Sequence, residues 1–359
     1  MTERVTLQDI ADALGMSRNT VAKAINNTGG IADSTRALVL KKAQEMGYKQ
    51  FAYMTLPGED KSQSPSSLRS GEKSEISLFF HGVLGSSHFS STMLDRFQHE
   101  LSGQGYSLSM HRLMEEDIIQ CRLPNSFDLD RAAGIVCLEL FNPAYVRMLT
   151  QLPTALLMVD GPPLIQEGKI ETDLLLMNNR RPIYEFVRVM NSRGKRQFGF
   201  VGDFLHCQSF YERFAALREM TSLLSLPDVN PFSILDREES YQKEGLKNYS
   251  ALIRKRVREM APSFPEVFLC ANDFVAIYVL QELQNLNIRI PEDVCLCGFD
   301  DMPETKIVRP HLTTVHIHSQ IMGATACRLL TDRIRKPEFD NVTAYTDTDL
   351  RYRASTGDI

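Results

Sequence analysis

Apolar and polar positions alternate along the chain in three different rhythms. Over residues 5–26, VTLQDIADALGMSRNTVAKAIN, apolar side chains return at helical spacing in two short runs. Leu7, Ile10, Ala11 and Leu14 mark the inner face of a first helix. A Thr6-x-x-Asp9 pair caps its start, and Gly15 ends it because glycine enters the left-handed C-cap conformation at no steric cost. Ser17 caps a second helix, with Val21, Ala24 and Ile25 inside. Helices this short do not persist alone in water. A third, 34–46, is expected to complete a small core with Leu38, Leu40, Ala43 and Met46.

The second rhythm is the lack of one. Residues 51–75, FAYMTLPGEDKSQSPSSLRSGEKSE, are too rich in Ser, Pro, Gly and charge to bury much surface, so they read as a linker. From 76 the third begins. ISLFFHG, YSLSMHRL, AAGIVCLEL and TALLMVDG are short apolar runs, with a helix at 90–103 between the first two. The pattern restarts with a helix at 180–193, RQFGFVGD, a helix at 209–221, EVFLCAND, a helix at 274–285 and VCLCGFDD. Continuous apolar strands alternating with helices predict parallel sheets covered on both faces. The expected fold is therefore α/β, with two Rossmann-like lobes over 76–359 following a small all-α helix-turn-helix module at 1–50. Ligands of such sheets sit outside the carboxyl ends of the strands. Strand ends put Asp203, Asn272, Asp273, Asp300 and Asp301 there, with Arg213 one helical turn into the helix after the first of them. A carboxylate, an amide and a guanidinium together can hold a polyol. For Asn272 and Asp300 the plainer alternative is capping of the next helix.

On the second helix Arg18, Asn19, Ala22 and Lys23 point away from the predicted core. Arg forks onto guanine, Asn onto adenine, and a helix fits the major groove. Ser17 and Thr20 lie at that helix's N-terminus, where hydroxyls and free amides suit phosphate oxygens. The charge distribution agrees. The 359 residues carry a formal charge of -5, yet residues 1–50 hold seven Lys and Arg against five Asp and Glu.

The seven cysteines sit in hydrophobic runs without zinc spacing, and Cys295 and Cys297 share one face of a strand, so reduced buried thiols are expected. No apolar signal region opens the sequence and no run approaches the ~18 residues that span a membrane, which leads us to expect a cytoplasmic protein. G-x-S-x-G, P-loop and H-E-x-x-H motifs are absent, so neither catalysis nor a metal or cofactor is expected.

With TLQDIADALGMS, NTVAKAINN and ALVLKKAQEMGY, residues 5–50 resemble the headpiece of the lactose-repressor/galactose-repressor (LacI/GalR) family. The body resembles that family's periplasmic-binding-protein-like (type I) ligand domain through CANDFVAIYVLQELQNLNIRIPEDVCLCGFDD, RPHLTTVHI, SFYERFAAL and DLRYRASTG. The resemblance implies base contacts from Arg18, Asn19 and Lys23 and phosphate contacts from Ser17, Thr20 and Asn26. It implies an effector held by Arg213, Asn272 and Asp300, with Ser87, Phe89, Ser90 and Asp160 adding to the site. It further implies a homodimer on double-stranded operator DNA, probed by a sugar or sugar phosphate, with repression as the default. A purine or nucleoside corepressor is one alternative; a solute-binding module whose headpiece makes protein contacts is another. The sequence also departs from the family. Lys49, Gln50, Phe51 and Ala52 replace the usual Pro-Asn and hinge helix, leaving Tyr53, Met54 and Leu56 as the substitute for a minor-groove wedge. Asn178-Asn179-Arg180-Arg181-Pro182 replaces Asp-Asn-x-x-Gly, and the loop before Arg213 is longer than usual.

Overall fold

The Thr6 hydroxyl accepts from Asp9 N at 3.3 Å while the Asp9 carboxylate accepts from Thr6 N at 2.7 Å, a reciprocal cap that starts α1 (Leu7–Leu14). Gly15 closes it in the left-handed conformation at φ 64°. In the computed structural model, α2 (Arg18–Asn26) and α3 (Asp33–Glu45) then complete the bundle. Its centre is Ile10, Ala11, Val21, Ala24, Val39 and Ala43, with Leu7, Leu14, Ile25, Leu40 and Met46 packed around it. One expected core residue is displaced. Leu38 is 49% exposed and Val39 is fully buried in its stead. Val39 and Ala43 lie four apart on one stripe of α3 with Leu40 beside them, whereas Leu38 is rotated by one residue, about 100°, off it.

The described residues are 6–26, 32–46, 73–82, 88–167, 170–236, 246–261 and 263–357, and they fall into two compact units, Met1–Pro65 and Ser66–Ile359. Most of the proposed linker, with Tyr53, Met54 and Leu56, lies outside the described residues. Its end is structured: Lys73 Nζ donates to the Leu129 carbonyl at 2.7 Å and the first strand already begins at Glu75.

The first lobe of the second unit is a six-stranded sheet. Its parallel core strands are β1 (Glu75–His81), β2 (Ser107–Leu113), β3 (Ala132–Leu138), β4 (Ala155–Val159) and β5 (Asp173–Met177), and β10 (Thr343–Thr346) adds to β5, giving the order β10-β5-β4-β3-β1-β2. Alternation sorts the faces. Ile76, Leu78, Val136, Leu138, Leu157 and Leu175 meet α4 (His88–Gly103) and α12 (Ser319–Arg335). Phe79, Ile135, Cys137, Met158 and Leu176 meet α5 (Glu115–Ile119) and α6 (Pro143–Leu149) on the other side. A short α7 (Leu164–Glu167) follows β4.

The second lobe contains a parallel sheet, β6 (Phe198–Val201), β7 (Val267–Cys270) and β8 (Cys295–Cys297). It is covered by α8 (Arg180–Ser192) and α9 (Gln208–Leu223) on one face and by α10 (Leu246–Met260) and α11 (Asp273–Asn285) on the other. Cys295 and Cys297 face one core cluster and Leu296 the other, as the alternation predicts. All seven cysteines are free; six are buried and Cys121 is half-buried. The chain passes between lobes at Asn178–Asn179, at His318 and at Asp347, where β9 (Thr314–Ile317) and the antiparallel β11 (Thr348–Arg351) end the second lobe. Asn178 N donates to the Thr346 carbonyl and Thr348 Oγ1 to the Asn178 carbonyl, both at 2.8 Å, tying two of these crossings together. Among the described residues no helix is long and apolar enough to cross a membrane.

Candidate functional sites

In the first unit, the Ser17 hydroxyl accepts from Thr20 N at 3.1 Å and shares a 2.8 Å hydrogen bond with Thr20 Oγ1, fixing the start of α2. Val21 and Ala24 face inward, so Arg18, Asn19 and Lys23 are left on the exposed side, with Thr20 and Ala22 half-buried between. One short helix thus presents a guanidinium, a carboxamide and an ammonium on one side, with hydroxyls at its N-terminus. The side chain of Asn26 lies outside the described residues.

In the second unit the carboxyl ends of β3, β4, β6, β7 and β8 bring the expected polar groups together. Arg213, only 2% exposed, donates from Nε to Asn179 Oδ1 at 2.9 Å and from Nη1 to the Ala271 carbonyl at 2.6 Å. Its guanidinium lies 3.5 Å over the centroid of Phe299, and Nη1 is 3.9 Å from Asp300 Oδ1. These bonds use Nε and Nη1, and among the described residues Nη2 has no protein acceptor. Asp300 is held at φ 116°, a region strained for a side chain, and that conformation aims its carboxylate at Arg213. Burial drives the Asp300 carboxyl up to about 6; the Arg213 charge opposes this and the Asp160 charge adds to it.

Asn272 takes the capping role, the plainer of the two alternatives. Its Oδ1 caps α11, accepting from Val275 N at 3.0 Å, and its amide Nδ2 has no protein acceptor among the described residues. Its neighbour Asp273 is fully buried and accepts from Met302 N at 2.9 Å and Thr314 Oγ1 at 2.6 Å, bracing the chain around β9. Asp301 binds Arg353 and His316, with Lys306 at 3.8 Å. Burial works against its ionisation, but the hydrogen bonds from His316 and Arg353 hold its carboxyl at about 2. Asp203 Oδ1 accepts from Leu205 N at 3.0 Å, shaping the long loop before α9.

Asp160 is placed differently from a simple ligand contact. In the left-handed region at φ 56°, its Oδ1 accepts from Gly161 N at 2.8 Å and from Ser209 N at 3.3 Å. A first-lobe carboxylate therefore sits on the N-terminus of α9 in the second lobe. Gln208 reinforces this junction, its N donating to the Gly161 carbonyl at 2.8 Å and its Oε1 accepting from Leu164 N at 2.9 Å. Burial pushes the Asp160 carboxyl up, while the Gly161 and Ser209 bonds and Arg213 pull it down.

Ser90 is buried in the first turn of α4 and donates to Glu139 Oε1 at 3.2 Å. Glu139, at φ 52° just past β3, is joined to the neighbouring strand by its N–H on the Val159 carbonyl at 3.2 Å, one residue before Asp160. Sequence reasoning missed Glu139; its only signal is a charge breaking the apolar run AAGIVCLEL. It also missed an aromatic chain across the lobes. Phe141 meets His206 edge-on with centroids 4.8 Å apart, and His206 meets Phe210 at 5.4 Å. Burial lowers the His206 value, with Asp203 pulling against it. Ser87 and the side chain of Phe89 lie outside the described residues.

Two family models match the chain. Residues 6–50 match the bacterial regulatory proteins of the lacI family, and residues 187–356 match the periplasmic binding protein-like domain. The chain carries a lacI-family helix-turn-helix domain followed by a periplasmic-binding-protein-like domain. Full-length relatives agree with this assignment. The HTH-type transcriptional regulator GalR of Lacticaseibacillus casei is 24% identical over 348 residues, covering 93% of this chain and 94% of its own. The HTH-type transcriptional repressor PurR of Pasteurella multocida is 22% identical over 360 residues, covering 98% of each. Among solved structures, a complex of the transcriptional regulator CelR with cellobiose has a TM-score of 0.67 at 20% identity, covering 98% of this chain and all of that one. A lac repressor dimer bound to operator and the anti-inducer ONPF has a TM-score of 0.62 at 16% identity, covering 99% and 100%.

Proposed function

We propose that this protein is a transcription regulator whose affinity for operator DNA is set by a small molecule in the interlobe cleft. The observation that carries the reading is the outward side of α2. Arg18, Asn19 and Lys23 are exposed together on a capped helix of the size that enters a major groove. Arg18, Asn19 and Lys23 read base edges; Ser17, Thr20 and Asn26 hold phosphates. Two copies present paired helices to half-sites about one helical turn apart. Arg213, Asn272 and Asp300 hold the effector, supported by the surroundings of Ser87, Phe89, Ser90 and Asp160. Effector and operator alter each other's affinity by the same factor, because coupling between binding sites is reciprocal. Repression is the direction that the relative named a repressor supports.

The test is a selection of genomic fragments followed by fluorescence anisotropy over a salt series. True phosphate contact makes duplex affinity fall steeply, by roughly a thousandfold between about 50 and 200 mM salt for ~6 contacts. Failure to retain any duplex at low salt sinks the DNA-binding half. Operator affinity that no sugar, sugar phosphate or purine alters sinks the effector half.

A further inference from the structure

We infer that the outer stripe of α10 is a second ligand site, which takes a phosphate group, free or carried by a small metabolite, on Arg254, Lys255 and Arg258. None of these residues belongs to the strand-end group, so the inference stands independently of the effector reading.

The sequence of α10, LKNYSALIRKRVREM, holds five Lys and Arg against one Glu, in a chain whose formal charge is -5. Helical periodicity sorts them. Ile253 and Val257 are buried in the lobe core, which leaves 251, 254, 255, 258 and 259 as one outward stripe. A groove of about 400 Å³ opens along this stripe, lined by Ala251, Arg254, Lys255, Arg258 and Glu259.

A run of surface cations is ordinarily only a solvated face. Two details separate this one. Arg254 Nε is shut off from solvent and has no hydrogen-bond partner among the described residues. Elsewhere the chain closes such groups with carboxylates: Arg256 Nε donates to Asp236 Oδ2 at 2.8 Å, and Arg333 Nε to Asp173 Oδ2 at 2.9 Å. A buried charged donor without an acceptor is a cost that a bound anion removes. The second detail is that Arg258 is held in place. Its Nε donates to Oε1 of the fully buried Glu282 at 2.5 Å, while its Nη groups have no protein acceptor among the described residues. Glu259, the carboxylate of the groove, already accepts from Arg256 Nη1 at 2.8 Å and lies 3.7 Å from Lys255.

Residues three and four apart on a helix have Cβ atoms about 5–6 Å from each other, so these cations can converge on one anion. Two guanidinium forks and an ammonium match the several oxygens and double charge of a phosphate. A carboxylate, with one charge and two oxygens, satisfies a single fork. Ala251 leaves room beside them, and the groove lies within the range of about 300–1,000 Å³ usual for small-molecule sites.

The experiment uses the full chain with inorganic phosphate, glucose 6-phosphate and AMP as probes, each against chloride at equal ionic strength. Phosphate at about ten times its Kd should raise the thermal midpoint by roughly 2 °C. The Arg254→Met/Lys255→Met variant, which keeps the apolar stems, should lose that rise and bind phosphate about tenfold more weakly in calorimetry. No rise in the wild type, or an equal rise in the variant, overturns the inference. Tighter binding of glucose 6-phosphate or AMP than of inorganic phosphate assigns the site to a carried phosphate, and the opposite order to the free ion. Should the variant not fold, modification of the wild type decides. Phosphate should slow the reaction of Arg258 with phenylglyoxal and the reductive methylation of Lys255, and leave the exposed, Asp293-paired Arg289 as reactive as before. Slowing at all three residues, or at none, overturns the inference.

Discussion

Replacing Asp300 by Asn should stabilise the protein at neutral pH while removing its response to effector. Asn fills nearly the same volume and tolerates positive φ as Asp does, so the backbone at φ 116° is left as it was. What changes is the cost of a buried charge. The Asp300 carboxyl is raised to about 6, chiefly by burial and despite Arg213, from an ordinary value near 3.9. The folded state thus holds a proton more tightly than the unfolded one. Stability contributed by this group is present below about pH 4 and declines as pH rises through about 6. The difference amounts to ~3 kcal/mol at neutral pH, an upper figure because Asn also gives up the attraction to Arg213. Urea unfolding of both proteins, followed from pH 4 to 8, should give curves that coincide near pH 4 and separate by ~1–3 kcal/mol above pH 7, the Asn variant being the more stable. Calorimetry on the same samples should show its effector affinity reduced by at least tenfold. A stability difference that does not depend on pH, or an Asn variant less stable at pH 7.5, would refute the argument.

Other substitutions probe independent links. In the first unit, Val39→Glu should abolish operator binding by unfolding the three-helix core, whereas Leu38→Glu should leave the helical signal intact, since Val39 is fully buried and Leu38 is 49% exposed; circular dichroism of the two variants distinguishes them. Arg18→Ala should relax preference at one operator position at a cost of roughly 1–3 kcal/mol, and an unchanged profile across an operator library would exclude Arg18 as a reader. Asp160→Ala leaves Gly161 N and Ser209 N without their acceptor, which at about 1–3 kcal/mol per buried donor should loosen lobe closure and raise the effector Kd by tenfold or more; an unaltered Kd would show that this junction does not contribute to closure.

The fold was legible because its signals are local. Capping at Thr6 and Ser17, the Gly15 stop and the apolar strands all depend on neighbours within a few residues. Strand β5, DLLLM, was overlooked because nothing in the run separates a buried strand from a short helix, and it becomes a strand by pairing with β4 and with β10 from the far end of the chain. The cleft was legible as a set of strand ends, but the acts of its residues were not. Whether Asp160 meets a ligand or a helix depends on which backbone amides the opposite lobe supplies, and Ser209 lies 49 residues away. Asn272 showed why the two alternatives considered for it do not compete: one amide carbonyl caps the helix while its nitrogen stays available.

The largest gap between sequence and structure lies at a crossing between the lobes. Asn179, flagged only as a departure from the family pattern, is fully buried at a crossing between lobes. Its Oδ1 receives Arg213 Nε at 2.9 Å, and its Nδ2 donates to Glu212 Oε2 at 2.9 Å. Glu212 in turn accepts from Tyr345 OH at 2.8 Å, on the strand that returns to the first lobe just before the crossing at Asp347. The guanidinium proposed to touch the effector is therefore hydrogen-bonded, through one amide, to two of the chain's passages between lobes. A ligand that draws Arg213 by a few tenths of an ångström must stretch these bonds or move the crossings with it. Asn179→Ala should then separate binding from response: operator affinity without effector stays within a factor of about three, while the ratio of operator affinities with and without effector falls toward one. If that ratio is preserved at saturating effector, the signal reaches the first unit by another route and the chain from Arg213 to Tyr345 serves only to hold the lobes in register.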